Sequence, residues 1–126
     1  MKKKGLTDSE LLIMKVIWDE SRDDMTLPEI VALVNERFEK DWKPQTVSTF
    51  LAKLVKKNFL EMYRQGRLFC YKVLIPLNKY KAIQFRDFLT FWNCGDINMF
   101  VEDLANNHVL TKEQEKQFKA KVDLLF

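Results

Sequence analysis

Between positions 43 and 75 the chain carries seven basic side chains, Lys43, Lys53, Lys56, Lys57, Arg64, Arg67 and Lys72, against one acid, Glu61. Short polar groups, Gln45, Thr46, Ser48 and Thr49, stand among them. Ammonium and guanidinium groups neutralise phosphates, while amides and hydroxyls exchange hydrogen bonds with base edges. This is the chemistry of holding a polyanion rather than of making or breaking bonds. Catalytic material is scarce. A single histidine, His108, cannot build a histidine-based metal centre or supply a nucleophilic triad with choices. Three glycines, Gly5, Gly66 and Gly95, exclude a glycine-rich phosphate loop. Cys70 and Cys94 form no CxxC pair and suit a reducing compartment as free thiols. No cofactor, no metal and no enzymatic activity are expected.

The basic block is local. The 126 residues carry a formal charge of +3, but residues 1–42 sum to −3, residues 43–75 to +6 and residues 76–126 to zero. One surface directed at a polyanion follows from that partition. The opening Met1-Lys2-Lys3-Lys4 is basic like the start of a signal peptide, yet Thr7-Asp8-Ser9-Glu10 stands where its apolar core would be. No apolar run approaches the roughly 20 residues of a bilayer span. A cytoplasmic chain without membrane insertion is expected.

Local signals define the elements that must carry these groups. Thr7…Glu10, Thr26…Glu29 and Thr111…Gln114 each repeat the spacing of a capping box, a hydroxyl with Glu or Gln three residues on. The first helix is expected to reach about Asp19, with Leu12, Ile13, Val16 and Ile17 inward. The second is expected to reach about Lys40, burying Ile30, Val34 and Phe38. A third helix begins at Pro44, a residue suited to the first helical position, and ends near Asn58. Its apolar stripe is Val47, Phe50, Leu51, Leu54 and Val55, so Gln45, Thr46, Thr49, Ala52, Lys53 and Lys56 face outward. Two strands, about Leu60–Arg64 and Leu68–Leu74, then flank Gln65-Gly66-Arg67, where Gly66 supplies the positive φ of a hairpin turn.

Three helices and a hairpin of this order make a winged helix-turn-helix. The chain is expected to be mainly α with a small β-hairpin wing, a winged-helix DNA-binding domain over residues 1–76. Gln45, Thr46, Ser48 and Thr49 are candidates for base contacts from the third helix. Lys43, Lys53, Lys56 and Lys57 are candidates for phosphates, and Arg64 and Arg67 for the backbone or minor groove beside the wing. A winged helix can instead serve as a protein-interaction module without DNA, but that reading calls for an apolar third-helix face.

Residues 77–126 read as three more helices and form a second, helical region. The 51 residues from Pro76 onward hold half of the sixteen aromatics, too short a segment to build a self-sufficient core. Phe85, Phe88, Leu89, Trp92, Phe100, Leu104, Phe118 and Val122 are the candidate dimerisation residues, with Phe91 beside the main stripe. A two-fold dimer would offer two reading helices to successive major grooves of a palindromic site. His108 reads as a solvated loop residue and Cys70 as buried structure. Cys94 lies in a turn without the basic neighbour that a sensing thiolate needs.

The chain resembles the BlaI/MecI/CopY family of winged-helix repressors over nearly its whole length. The resemblance rests on Leu6-Thr7-Asp8-Ser9-Glu10 with Val16-Ile17-Trp18, and on Thr46-Val47-Ser48-Thr49-Phe50-Leu51-Ala52-Lys53-Leu54-Val55-Lys56-Lys57. It continues through Tyr63-Arg64-Gln65-Gly66-Arg67-Leu68-Phe69-Cys70-Tyr71 and Gly95-Asp96. It implies a homodimer that blocks transcription from a short inverted-repeat operator in double-stranded DNA. In the β-lactam-resistance branch it also implies a sensor protease system that triggers cleavage of the repressor between Asn and Phe. The matching pair here is Asp103-Leu104, which departs from that pattern. The CxC repeats of the copper-responsive branch are absent.

Overall fold

A computed structural model describes residues 5–126, so the basic run Lys2-Lys3-Lys4 lies outside the described residues. The elements are α1 (Asp8–Glu20), β1 (Met25–Thr26), α2 (Leu27–Phe38), α3 (Pro44–Lys56), β2 (Leu60–Gln65), β3 (Leu68–Val73), α4 (Leu77–Asn93), α5 (Ile97–Asn106) and α6 (Lys112–Leu125). The fold is mostly helical with one small antiparallel sheet, as the hydrophobic patterning implies. Two compact units divide inside α4, the first ending at Lys81 and the second running from Ala82 to Phe126.

All three capping boxes form. Thr7, Thr26 and Thr111 accept from the amides of Glu10, Glu29 and Gln114, whose side chains accept from the threonine amides in return. Each box satisfies two orphan donors, which is why these starts are legible residue by residue. Helix ends are less regular. α2 stops at Phe38, two residues short of the expected Lys40, because Glu39 turns left-handed at φ 53°. Asn58, at φ 66°, ends the α3 segment in the same conformation.

The core of the first unit lies between α1, α2, α3 and the sheet. Ile13, Met14, Val16 and Ile17 of α1 meet Ile30 and Val34 of α2 and Val47, Leu51 and Leu54 of α3, all fully buried. Leu12, expected inward, is only half-buried, and Met14 and Trp18 take the inner places with Ile13, Val16 and Ile17. Trp18 closes one end of this core. Its indole N–H donates to the Ile75 carbonyl at 2.9 Å, and its ring lies 5.1 Å from that of Tyr80. The chain leaving the wing is thereby fixed to α1.

The sheet has three strands in the order β1-β3-β2, where the sequence reading had two. β1 is only Met25 and Thr26, paired with Tyr71 and Cys70. Two residues carry no periodicity, so nothing in the pattern marks a strand there. The hairpin register pairs Leu60 with Val73, Met62 with Tyr71, Arg64 with Phe69 and Gln65 with Leu68. Gly66 and Arg67 form the two-residue turn. Positive φ falls on Gly66 alone, at 66°, the pattern of a type II′ turn.

The second unit holds the end of α4 together with α5 and α6. Asp96 caps α5 by accepting from the Asn98 and Met99 amides. Asn93, buried in this unit, donates through Nδ2 to the Asp103 carboxylate at 2.7 Å. Phe88 packs edge-on against Phe100 with ring centres 6.0 Å apart, and Phe91 lies 4.8 Å from Trp92. Among the described residues no helix is long and apolar enough to cross a membrane.

Candidate nucleic-acid interface

The outward face of α3 is polar and free. Gln45, Thr49, Ala52, Lys53 and Lys56 are exposed, and Thr46 and Ser48 are half-buried at its edges. The Thr49 hydroxyl donates to the Gln45 carbonyl at 3.0 Å, which leaves its lone pairs to accept from a base or another donor. Lys43 stands at the N-cap position and is exposed. Its side chain makes no capping hydrogen bond and the first turn holds no acid, so the orphan amides of α3 stay open, unlike those of α1 and α2. Open amides and a helix dipole favour an anion at that end.

Arg64 and Arg67 stand at the exposed tip of the wing. Among the described residues neither they nor Lys43, Lys53 and Lys56 form an ion pair with a carboxylate. The arginines of the acidic N-terminal stretch behave differently. Arg22 is held by Asp24 and Glu29, and Arg37 by Asp19 and Glu20.

Lys57 departs from the expected phosphate set. Its ammonium points inward, donating to the Glu10 carboxylate at 2.6 Å and to the Gly5 carbonyl at 3.1 Å. Glu10 is only 1% exposed. Burial pushes its carboxyl up, but Lys57 and the Thr7 amide together outweigh that, and its pKa falls below the ordinary 4.5. Lys57 is the counter-ion of a buried acid. The reason is rotational: one residue beyond Lys56 the helix has turned from solvent to the α1 side.

Several residues position this surface without belonging to the expected set. Asn35 on α2 clamps the turn before α3 with both ends of its amide, donating to the Trp42 carbonyl at 3.0 Å and accepting from the Trp42 amide at 2.9 Å. The Trp42 ring rests 5.3 Å from Phe50, so the chain enters α3 along a fixed path. Asp23 anchors the wing base, its carbonyl accepting from the Tyr63 hydroxyl and its carboxylate from the Val73 amide. An Asn seven residues before a Trp is no motif, and only the fold brings the two together.

The expected dimerisation residues are all in the second unit and poorly covered. Phe85, Phe88 and Trp92 are 65%, 50% and 64% exposed, and Phe118 and Val122 also stand open. Leu89, Phe100 and Leu104 are half-buried. Ile97, Phe100, Val101, Phe118, Val122 and Phe126 line an apolar groove of about 690 Å³ between α5 and α6. Asp103 and Leu104 lie inside α5, with Asp103 held by Asn93 and its carbonyl accepting from the Asn107 side chain. No cluster of three metal-ligating side chains occurs among the described residues.

The penicillinase repressor family model matches residues 6–123. A penicillinase repressor of Bacillus licheniformis is 30% identical over 109 residues, covering 86% of this chain and 82% of that protein. The methicillin resistance regulatory protein MecI of Staphylococcus aureus is 21% identical over 114 residues, 90% of this chain and 89% of that one. Among solved structures, the DNA-binding domain of the repressor BlaI superposes with a TM-score of 0.52 at 33% identity. The monomeric form of B. licheniformis BlaI, in complex with the blaP half-operator, does so with a TM-score of 0.50 at 34% identity. Each covers 64% of this chain and 94% of the solved one. Matched over residues 6–123 and folded as a winged helix, this chain therefore belongs to the penicillinase repressor family of winged-helix, DNA-binding repressors.

Proposed function

We propose that the protein is a homodimeric repressor that binds a short inverted-repeat operator. In this reading α3 lies in the major groove, with Gln45, Thr46, Ser48 and Thr49 toward base edges. Lys43, Lys53 and Lys56 hold phosphates, and Arg64 and Arg67 bring the wing to the backbone or minor groove. The observation that carries it is that Lys43, Lys53 and Lys56 along α3 and Arg64 and Arg67 at the wing tip are exposed without a carboxylate partner, on a unit whose remaining arginines are neutralised internally. The related BlaI, solved with the blaP half-operator, supports the mode of binding.

The apolar surface of the second unit supports pairing of two copies. Exposed aromatic area of this extent seeks a partner, and symmetric pairing doubles the reading helices. A sensor protease system as the source of release rests on the family resemblance alone. A cut at Asp103-Leu104 is not part of this reading, since that bond lies inside a hydrogen-bonded helix and its acidic residue is held by Asn93.

Titration of the duplex upstream of its own gene tests the proposal. Neutralisation of about eight to ten phosphates by a dimer gives a salt slope of roughly −7 to −9. Affinity that barely changes with salt would leave the interaction-module reading standing instead, although the polar face of α3 speaks against that. Sedimentation at the same protein concentrations should return twice the 15.1 kDa chain mass.

A further inference from the structure

On β2 and β3 Arg64 stands directly opposite Phe69, so the two side chains share one face of the hairpin. The same face carries Met62 with Tyr71 and Leu60 with Val73, and toward the base it enters the core, where Tyr71 is buried. Toward the tip it runs out beyond the core. Phe69 is 41% exposed and lies outside the buried core. The Arg64 guanidinium carbon lies over its ring, 5.3 Å from the centre. An exposed aromatic ring with no core to fill, and an arginine with no carboxylate beside it, satisfy each other.

The manner of contact leaves the arginine available. A carboxylate partner, such as those on Arg22 and Arg37, occupies N–H donors and cancels the charge. A ring face takes neither, because the five N–H groups lie in the guanidinium plane and the full charge remains. A free arginine must also surrender side-chain freedom when it grips a phosphate, whereas one already resting on a ring surrenders less. We propose that Phe69 is a positioning residue for DNA binding, its ring holding Arg64 as a pre-ordered phosphate ligand at the wing. This rests on the DNA-binding reading above and adds to it a residue with no polar chemistry of its own.

The experiment compares full-length wild type, Phe69→Leu, Phe69→Tyr, Arg64→Gln and the Arg64→Gln/Phe69→Leu double variant on the upstream duplex. Phe69→Leu should weaken binding about two- to five-fold per subunit, the fold-change of an exposed cation–π contact, with the salt slope unchanged. On the Arg64→Gln background the same change should cost nothing further, and Phe69→Tyr should bind like wild type. A full Phe69→Leu loss in the absence of Arg64, or a Tyr variant as weak as the Leu variant, would overturn the proposal. The free protein supplies a readout independent of DNA. Ring current from Phe69 should shift the Arg64 Hδ protons upfield in the NMR spectrum, and Phe69→Leu should abolish the shift; unshifted protons in wild type would also overturn the proposal. A wild type with the upfield shift but no salt-dependent duplex binding would sink the DNA reading, and the role of Phe69 in binding with it, while the contact itself stood.

Discussion

The two units spend similar apolar material to opposite effect. The first, ending at Lys81, holds all fifteen of the described apolar residues that are fully or nearly fully buried, from Ile13 to Tyr71. In the second, from Ala82 to Phe126, the one buried residue is Asn93, a polar one, while nine large apolar residues there from Phe85 to Phe126 are at least half exposed. Three helices and a sheet can enclose a core of this size; the end of α4 with α5 and α6 cannot. One unit is a finished fold presenting polar chemistry. The other presents the surface that the first keeps inside, and that difference is the strongest argument for pairing.

The comparison can be broken most forcefully from the inside of the first unit. Leu51→Ala removes a fully buried side chain from α3 and should cost about 2–5 kcal/mol of stability, read by denaturant unfolding. Phe118→Glu, in the open groove of the second unit, should leave the thermal unfolding of the first nearly unchanged. It should reduce affinity for a two-half-site duplex by about 100-fold or more, since the second contact is no longer intramolecular. Sedimentation of that variant as a monomer would confirm the cause; retained dimer mass with lost binding would place the pairing surface elsewhere.

Lys57→Met and Lys56→Ala sharpen the contrast between neighbouring lysines. Lys57→Met strands the buried Glu10 and should cost on the order of 2 kcal/mol, below the roughly 3–5 of a fully buried pair because Lys57 keeps 28% exposure. Acid sharpens this further. The Glu10 pKa is lowered in the folded state, so the pair stabilises above the ordinary glutamate value and that stability is lost as pH falls through the folded pKa. The gap between wild type and Lys57→Met should thus be full at neutral pH and shrink on acidification. Lys56→Ala should do the reverse: stability within about 0.5 kcal/mol, and a salt slope flatter by about one per subunit.

Much of this was legible because the signals are local. A capping box spans four residues and the apolar stripe of α3, from Val47 to Val55, spans nine, so elements and their polar faces follow from near neighbours. The exposed set of Gln45, Thr49, Lys53 and Lys56 needed only the period of the helix. Lys57 was misread for the same reason, because its partner Glu10 is 47 residues away. β1 escaped because its pairing with Tyr71 and Cys70 is likewise long-range and its two residues leave no pattern.

The sequence by itself determined the helices, the turn at Gly66, the separation of charge and the oversupply of aromatics in the shorter unit, all properties of composition and short-range spacing. Only the tertiary structure decided which cations are free and which are spoken for, how Asn35 and Asp23 hold α3 and the wing, and that Arg64 rests on Phe69. Those outcomes depend on contacts between residues that chain proximity does not bring together, and hydrogen bonds and ion pairs are decided at the few ångströms that packing sets.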